Sequence, residues 1–311
     1  MIQIQNLTFG YKSSKENVLE NVNLQLTPGS IVGLLGKNGT GKTTLLNLIT
    51  GLLFAKQGVI TIDGEDAKTK SKSILEKLYF IPEELIVPNF TLEKFIKLYS
   101  PFYKDYSQEV MDECMREFDL KSEKKSLNKL SMGTKKKMMI CFALATNVPY
   151  LLMDEPTNGL DIPSKRIFRK LINSHMTENR IILISTHQVH DVEKMVDHIV
   201  IVGKKDLLIN DTTEGLSQKF TFGTTPKGEV LYSEKSLEGN LCVARRTDSE
   251  EETPVSLELL FEAVNENPNA FKNRGYEHIQ VFPLAHKRFS QNGYFRGHFL
   301  YRWSIYILCV C

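Results

Sequence analysis

Apolar and polar positions alternate at the start of the chain. Ile2, Ile4, Leu7 and Phe9 roughly alternate with polar neighbours, and so do Val22, Leu24 and Leu26. A period of two predicts half-buried strands of an antiparallel sheet. Pro28-Gly29 then turns the chain into residues 31–35, a continuous apolar run of the kind expected of a strand buried on both faces. The period changes next: Leu45, Leu46, Leu48, Ile49 and Leu52 recur at helical spacing, with Gly51 near the end. Residues 59–62 read as another short strand, closed by Asp63-Gly64.

From about 88 to 147 the pattern is helical. Leu92, Phe95, Ile96 and Tyr99 share a face behind Thr91; Val110, Met111, Cys114, Met115 and Phe118 share another behind Ser107. A lysine- and serine-rich connector spans 121–129, and a third helix is expected after Ser131. Strand character returns at 150–153, 180–185 and 199–202. Helices are expected between them, one from about 163 to 175 and one carrying Val192, Met195 and Val196. Strands alternating with helices predict a parallel α/β sheet, with 88–147 as a helical insertion. Past about 215 the regularity fades. Residues 248–252 are acidic and read as a solvated loop, and Ser256 caps one amphipathic helix with Leu257, Leu260, Phe261 and Val264 on its face. From Phe271 onward aromatic, Arg, Lys and His residues dominate and Glu277 is the only acid.

Composition adds bounds rather than identity. The 311 residues, 41% apolar and 24% charged, fit a globular protein with ample core. A net charge of +2 gives no global reason to expect nucleic acid as a partner. Residues 1–5 lack the basic start and apolar core of a secretory signal, and no run approaches the roughly 20 apolar residues of a membrane-spanning helix. The five cysteines form no paired framework and no zinc-ligand spacing, which points to a reducing, cytoplasmic setting.

The chemistry is concentrated in Gly36-Lys37-Asn38-Gly39-Thr40-Gly41-Lys42-Thr43, followed by Thr44. The pattern G-x-x-x-x-G-K-[ST] lies between a predicted strand and a predicted helix, where a phosphate-binding loop needs it. Glycines let backbone N–H groups curl around phosphate oxygens, and the helix N-terminus adds partial positive charge. Lys42 is placed to reach the β- and γ-phosphates, and the Thr43 hydroxyl to ligate Mg²⁺. The apolar strand at 150–153 runs into Asp154-Glu155. Asp154 is expected beside Mg²⁺, and Glu155 beside the γ-phosphate, where a carboxylate can orient the attacking water.

With these partners the sequence resembles the ATP-binding-cassette ATPases of ABC transporters. Leu130-Ser131-Met132-Gly133-Thr134 matches the signature L-S-G-G-Q at three positions. Asp154-Glu155-Pro156-Thr157 followed by Gly159-Leu160-Asp161 matches the Walker B strand and D-loop, and Ser185-Thr186-His187 ends a strand as the switch histidine does. The resemblance covers about 1–215. It implies an α/β P-loop NTPase fold of ABC type, with a mixed sheet core, an antiparallel β subdomain and the helical insertion. Beyond it stand a C-terminal extension, 216–270, and an atypical tail, 271–311.

The resemblance also implies roles: ATP and Mg²⁺ as ligands, Tyr11 stacking on adenine, and His187 contacting the γ-phosphate and attacking water. Ser131 and Gly133 would face the γ-phosphate bound by a second subunit. It implies a homodimer or paired cassette that powers a separately encoded permease, for export, from the inner face of the cell membrane. A soluble ABC ATPase acting on ribosomes or nucleic acid is the alternative. Two departures stand out. Glu83 occupies the place of the family's Q-loop glutamine beside Mg²⁺, and Met132 and Thr134 replace a glycine and the glutamine of the signature. Lys135-Lys136-Lys137 reads as a solvated basic face.

Overall fold

Two hydrophobic periods produce two kinds of sheet in the computed structural model, which describes residues 1–121, 125–236 and 239–271. In chain order the elements begin with β1 (Ile2–Phe9), β2 (Leu19–Leu26), β3 (Ser30–Leu35), α1 (Lys42–Ile49), β4 (Gln57–Ile62), β5 (Glu65–Asp66), α2 (Lys72–Lys77) and β6 (Leu78–Ile81). Three helices follow, α3 (Leu92–Tyr99), α4 (Gln108–Glu117) and α5 (Met132–Ala145). Then come β7 (Tyr150–Asp154), α6 (Ile162–Ser174), β8 (Ile181–Thr186), β9 (His198–Val202) and β10 (Leu207–Thr212). The chain continues through α7 (Thr213–Lys219), β11 (Phe220–Gly223), β12 (Val230–Ser236), β13 (Gly239–Arg245), α8 (Leu257–Glu266) and α9 (Pro268–Phe271).

The alternating strands form an antiparallel sheet in the order β2-β1-β4-β5. The continuous apolar runs form the central sheet, β10-β9-β3-β8-β7-β6, parallel except for β10 at its edge. The runs are continuous because both faces are covered. Val32, Leu34, Leu152, Leu183 and Val200 point into one core shared with the antiparallel sheet and α1. Their neighbours Ile31, Leu35, Leu151, Met153, Ile182 and Ile184 point into a second core, shared with the helical insertion and the C-terminal extension. Parallel register aligns the strand ends. Leu35 pairs with Thr186, Asp154 with Ser185 and Ile81 with Met153. The loops that leave β3, β6, β7 and β8 therefore emerge together, at the edge where α/β sheets bind ligands.

Side-chain caps start the insertion helices: Thr91 accepts from the Lys94 amide, Ser107 from Val110 and Ser131 from Thr134. An aromatic cluster ties the insertion to β6, with Phe142 of α5 5.0 Å from Phe95 and 5.7 Å from Tyr79.

Three expectations need correction. The helix expected around Val192–Val196 is a single 3₁₀ turn, Val189–Asp191, followed by turns. These turns run on to Asp197, whose carboxylate accepts from the amide of Ile31 in β3. The extension holds more than one amphipathic helix. An antiparallel sheet, β11-β13-β12, precedes α8, and α9 follows it. Phe271 does not begin the tail; it is buried at the end of α9, its ring 5.4 Å from Phe220. Residues 272–311, the rest of the atypical tail, lie outside the described residues. Among the described residues no helix is long and apolar enough to cross a membrane.

Candidate functional site

Where β3 ends, residues 36–41 turn tightly into α1. Gly39 and Gly41 have φ of 82° and 106°, the left-handed region that a side chain would strain. A Cβ on Gly36 would stand 2.6 Å from the Thr40 hydroxyl and 2.8 Å from the Val202 carbonyl, so the loop closes only on glycine. Lys42 is buried at the first turn of α1. Its ammonium donates to the carbonyls of Gly36 at 2.7 Å and Lys37 at 3.3 Å, lying back along the loop. Burial pushes its pKa down, against the pull of Glu155, Asp154 and Glu83. Lys37, Asn38 and Gly39 are exposed, and the Thr40 hydroxyl bonds the Lys37 carbonyl at 2.9 Å.

Asp154, at the end of β7, is 1% exposed. It accepts from the Thr43 hydroxyl at 2.6 Å and from the Ser185 hydroxyl. Burial raises its pKa; the bonds from Ser185 and Thr43 oppose this, and Glu83 and Glu155 add to it. A cation would relieve that stress. Thr43, Asp154 and nearby Glu83 supply hard oxygens, the donors Mg²⁺ takes. Among the described residues no three His, Cys, Asp or Glu converge to hold a metal unaided. Mg²⁺ is usually held by one or two carboxylates together with substrate phosphates.

Glu155 has φ of 46°, strained for a residue other than glycine. The turn it makes carries its carboxylate across to the end of β8. There Oε2 accepts from the Thr186 hydroxyl at 3.1 Å, and Oε1 accepts from the His187 amide at 3.0 Å and from His187 Nδ1 at 2.7 Å. The Glu155 carboxylate thus engages one ring nitrogen of His187, Nδ1, and leaves Nε2 for another partner.

Tyr11 is 41% exposed, its ring edge-on to Phe9 at 5.0 Å and its hydroxyl 3.0 Å from that of Thr44. An aromatic face therefore borders the P-loop helix. Glu83 follows β6 and accepts from the Asn158 side-chain Nδ2 at 3.3 Å. Ser131 and Gly133 stand apart from the P-loop. Ser131 bonds within the first turn of α5, and Gly133 abuts the Gly159 carbonyl, 3.2 Å from where its Cβ would be. Asp161 caps α6 through the Ser164 amide at 3.0 Å.

The basic run 135–137 is not a solvated face. Lys136 is 2% exposed and donates to the carbonyls of Glu155 at 2.8 Å and Asn158 at 3.2 Å. No helical phase singles it out, because residues 138–145 of α5 are buried on every side and Lys135 and Lys137 also align with apolar residues. Ser185, Thr186 and Asn158 were also missed as site partners.

A strand, a glycine loop with a buried lysine, and a Thr–Asp pair across the next strand but one define a P-loop nucleotide hydrolase. Residues 19–158 match the ABC transporter family. The bacitracin transport ATP-binding protein BcrA of Bacillus licheniformis is 34% identical over 214 residues, 67% of this chain and 68% of that protein. The lantibiotic transport ATP-binding protein SrtF of Streptococcus pyogenes is 29% identical, over 71% of this chain and 96% of that protein. Among solved structures, an ATP-binding subunit of an ABC transporter superposes with a TM-score of 0.63 at 28% identity, covering 70% of this chain and 91% of that one. A dimeric ATP-binding cassette in a post-hydrolysis state with ADP and Pi gives 0.60 at 25% identity, covering 68% and 98%. The chain belongs to the ABC transporter family as an ATP-binding cassette, and it is an ATPase.

Proposed function

We propose that this cassette powers a separately encoded membrane permease, for export, and that two copies close on two ATP molecules. The observation that carries the chemistry is the Glu155 carboxylate, held by Thr186 and His187 at the carboxyl edge of the sheet. On this reading the loop amides of residues 37–42 and the Lys42 ammonium hold the phosphates, and Tyr11 stacks on the adenine. Lys42 leaves the carbonyls of Gly36 and Lys37 to do so, exchanging neutral acceptors for an anion. Thr43, Asp154 and Glu83 hold Mg²⁺, which when bound neutralises phosphate charge. Glu155 accepts a hydrogen bond from the attacking water and aligns it in line with the bond to be broken. His187, fixed through Nδ1, presents Nε2 to the same space. Ser131 and Gly133, at the N-terminus of α5, face the γ-phosphate held by the second copy.

Export is supported by the relatives named for bacitracin and lantibiotic transport, and pairing by the cassette solved as a dimer. The permease would hold the cassette on the inner face of the membrane. The test is co-expression with candidate permeases and purification from detergent-solubilised membranes. Stoichiometric recovery of the cassette with one permease, and ATP hydrolysis by that complex, is the expected result. An active cassette that stays in the soluble fraction with every candidate would contradict the reading.

A further inference from the structure

Lys136 is a buried charge that packing does not require. It lies on the side of α5 that carries Met139, Ile140 and Ala143, all fully or nearly fully buried. An apolar residue would fill that position without the cost of desolvating an ammonium, a cost that is large unless the charge is compensated. The compensation comes from one direction. Its ammonium donates to the backbone carbonyls of Glu155 and Asn158, the two ends of the turn that leaves β7. The Asn158 side chain in turn donates to the Glu83 carboxylate. Burial pushes the lysine's pKa down, while Glu83 first, then Glu155 and Asp154, pull it back up.

We propose that Lys136 and Asn158 are positioning residues that link Glu83 to Glu155, and that the Lys136 charge offsets the extra carboxylate at position 83. This rests on the proposed role of Glu155. The Glu155 backbone is strained, so its carboxylate stays on Thr186 and His187 only while something holds the turn. Lys136 holds it by both ends. The charges of Glu83, Glu155 and Asp154 all act on the Lys136 ammonium, a buried cation that touches the turn itself. Where a neutral glutamine stood at position 83, one negative charge fewer would need offsetting. The same chain of bonds gives the loop after β6 a mechanical route to the residue that orients water.

The test is a cycle of purified full-length variants, read as ATPase kcat and KM, nucleotide affinity from a fluorescent ATP analogue, and Tm. Lys136→Met should lower kcat by about 10- to 100-fold, the range a small misplacement of a reacting group costs. KM and nucleotide affinity should stay within about two-fold, since the P-loop does not contact Lys136. Glu83→Gln keeps an oxygen for the Asn158 amide and removes the charge. It should raise kcat in the Lys136→Met background and fail to raise it in the parental one. Asn158→Ala, at a half-buried position, should lower kcat and abolish that rescue. It also decides the question if Lys136→Met does not fold. Parental kcat in folded Lys136→Met or in Asn158→Ala, a loss carried by KM, or equal effects of Glu83→Gln in both backgrounds would overturn the inference. Glu155→Gln is run alongside. If it hydrolyses ATP at the parental rate, the site reading falls and takes the inference with it. If it is inactive while Lys136→Met is fully active, the inference alone falls.

Discussion

At the carboxyl edge of the six-stranded sheet, Asp154, Glu155, Ser185 and Thr186 are buried polar groups. Each is bonded to a neighbour, and Glu155 is held in a strained conformation. In the three-stranded sheet of the extension, Val230 and residues 233–236 of β12 face solvent, and apart from Thr221 the buried residues, such as Phe220, Phe222 and Val243, are apolar, as is Leu260 of α8. One region spends stability to hold charge in place. The other contributes apolar burial to the core behind the helical insertion. No buried side-chain polar atom among the described residues lacks a partner, so the strain at the edge is confined to backbone and charge. Substitutions should therefore separate the two regions: the edge should lose function with little loss of stability, and the extension the reverse.

The largest stability effect is expected in the extension. Leu260 of α8 is fully buried, and Leu260→Ala should cost about 2–5 kcal/mol by thermal or denaturant unfolding. The kcat per folded molecule should not change. A parallel fall in kcat would break the comparison and give the extension a part in shaping the site. Lys42→Met should do the opposite. Removing charge-assisted bonds to phosphate, worth about 1.5–3 kcal/mol, should weaken ATP affinity by about 10- to 100-fold. Tm should hold or rise, because burial already disfavours the Lys42 charge. A marked drop in Tm would mean that the lysine is structural.

The smallest effect lies away from both regions. Asp63 accepts from the N-terminal ammonium, the Tyr150 hydroxyl and Lys77. Burial pushes its pKa up, but those bonds outweigh it and bring the value from 3.8 down to about 2. The sign follows: the ionised form is favoured in the folded chain, so the stabilisation is complete above the ordinary carboxylate value. It is lost as pH falls toward about 2. The side chain is 36% exposed, so screening limits the benefit. Asp63→Asn should cost under about 1 kcal/mol at neutral pH and nothing in strong acid. A cost that is the same at both pH values would contradict the assignment.

The fold was legible wherever burial forces a period. Residues 31–35 and 150–153 read as strands because both of their faces are covered, and α3 and α4 because one face is. The extension's sheet was not legible, because β11 is four residues long and β12 is mostly solvated, so neither shows a clear alternation. The 3₁₀ turn at Val189–Asp191 escaped for another reason: Val192, Met195 and Val196 are buried at helical spacing, but the segment is held as a series of turns. At the site, contiguous stretches announced themselves because phosphate chemistry demands particular residues at fixed spacing. Lys136 did not, since a lysine among lysines suggests solvent and the helix beyond it is apolar on every side, so no phase sets it apart. The link from Glu83 through Asn158 to Lys136 joins three separate segments, and no spacing within one segment encodes it.

The central claim is that Glu155 orients the water at this edge while other residues hold the nucleotide. Steady-state hydrolysis and MgATP binding by Glu155→Gln test it most directly. The substitution keeps the shape and an acceptor for His187 but removes the negative charge. The account predicts a loss of about 10²- to 10⁴-fold in kcat with MgATP affinity preserved. Hydrolysis at the parental rate, or a loss explained by weaker MgATP binding, would contradict it.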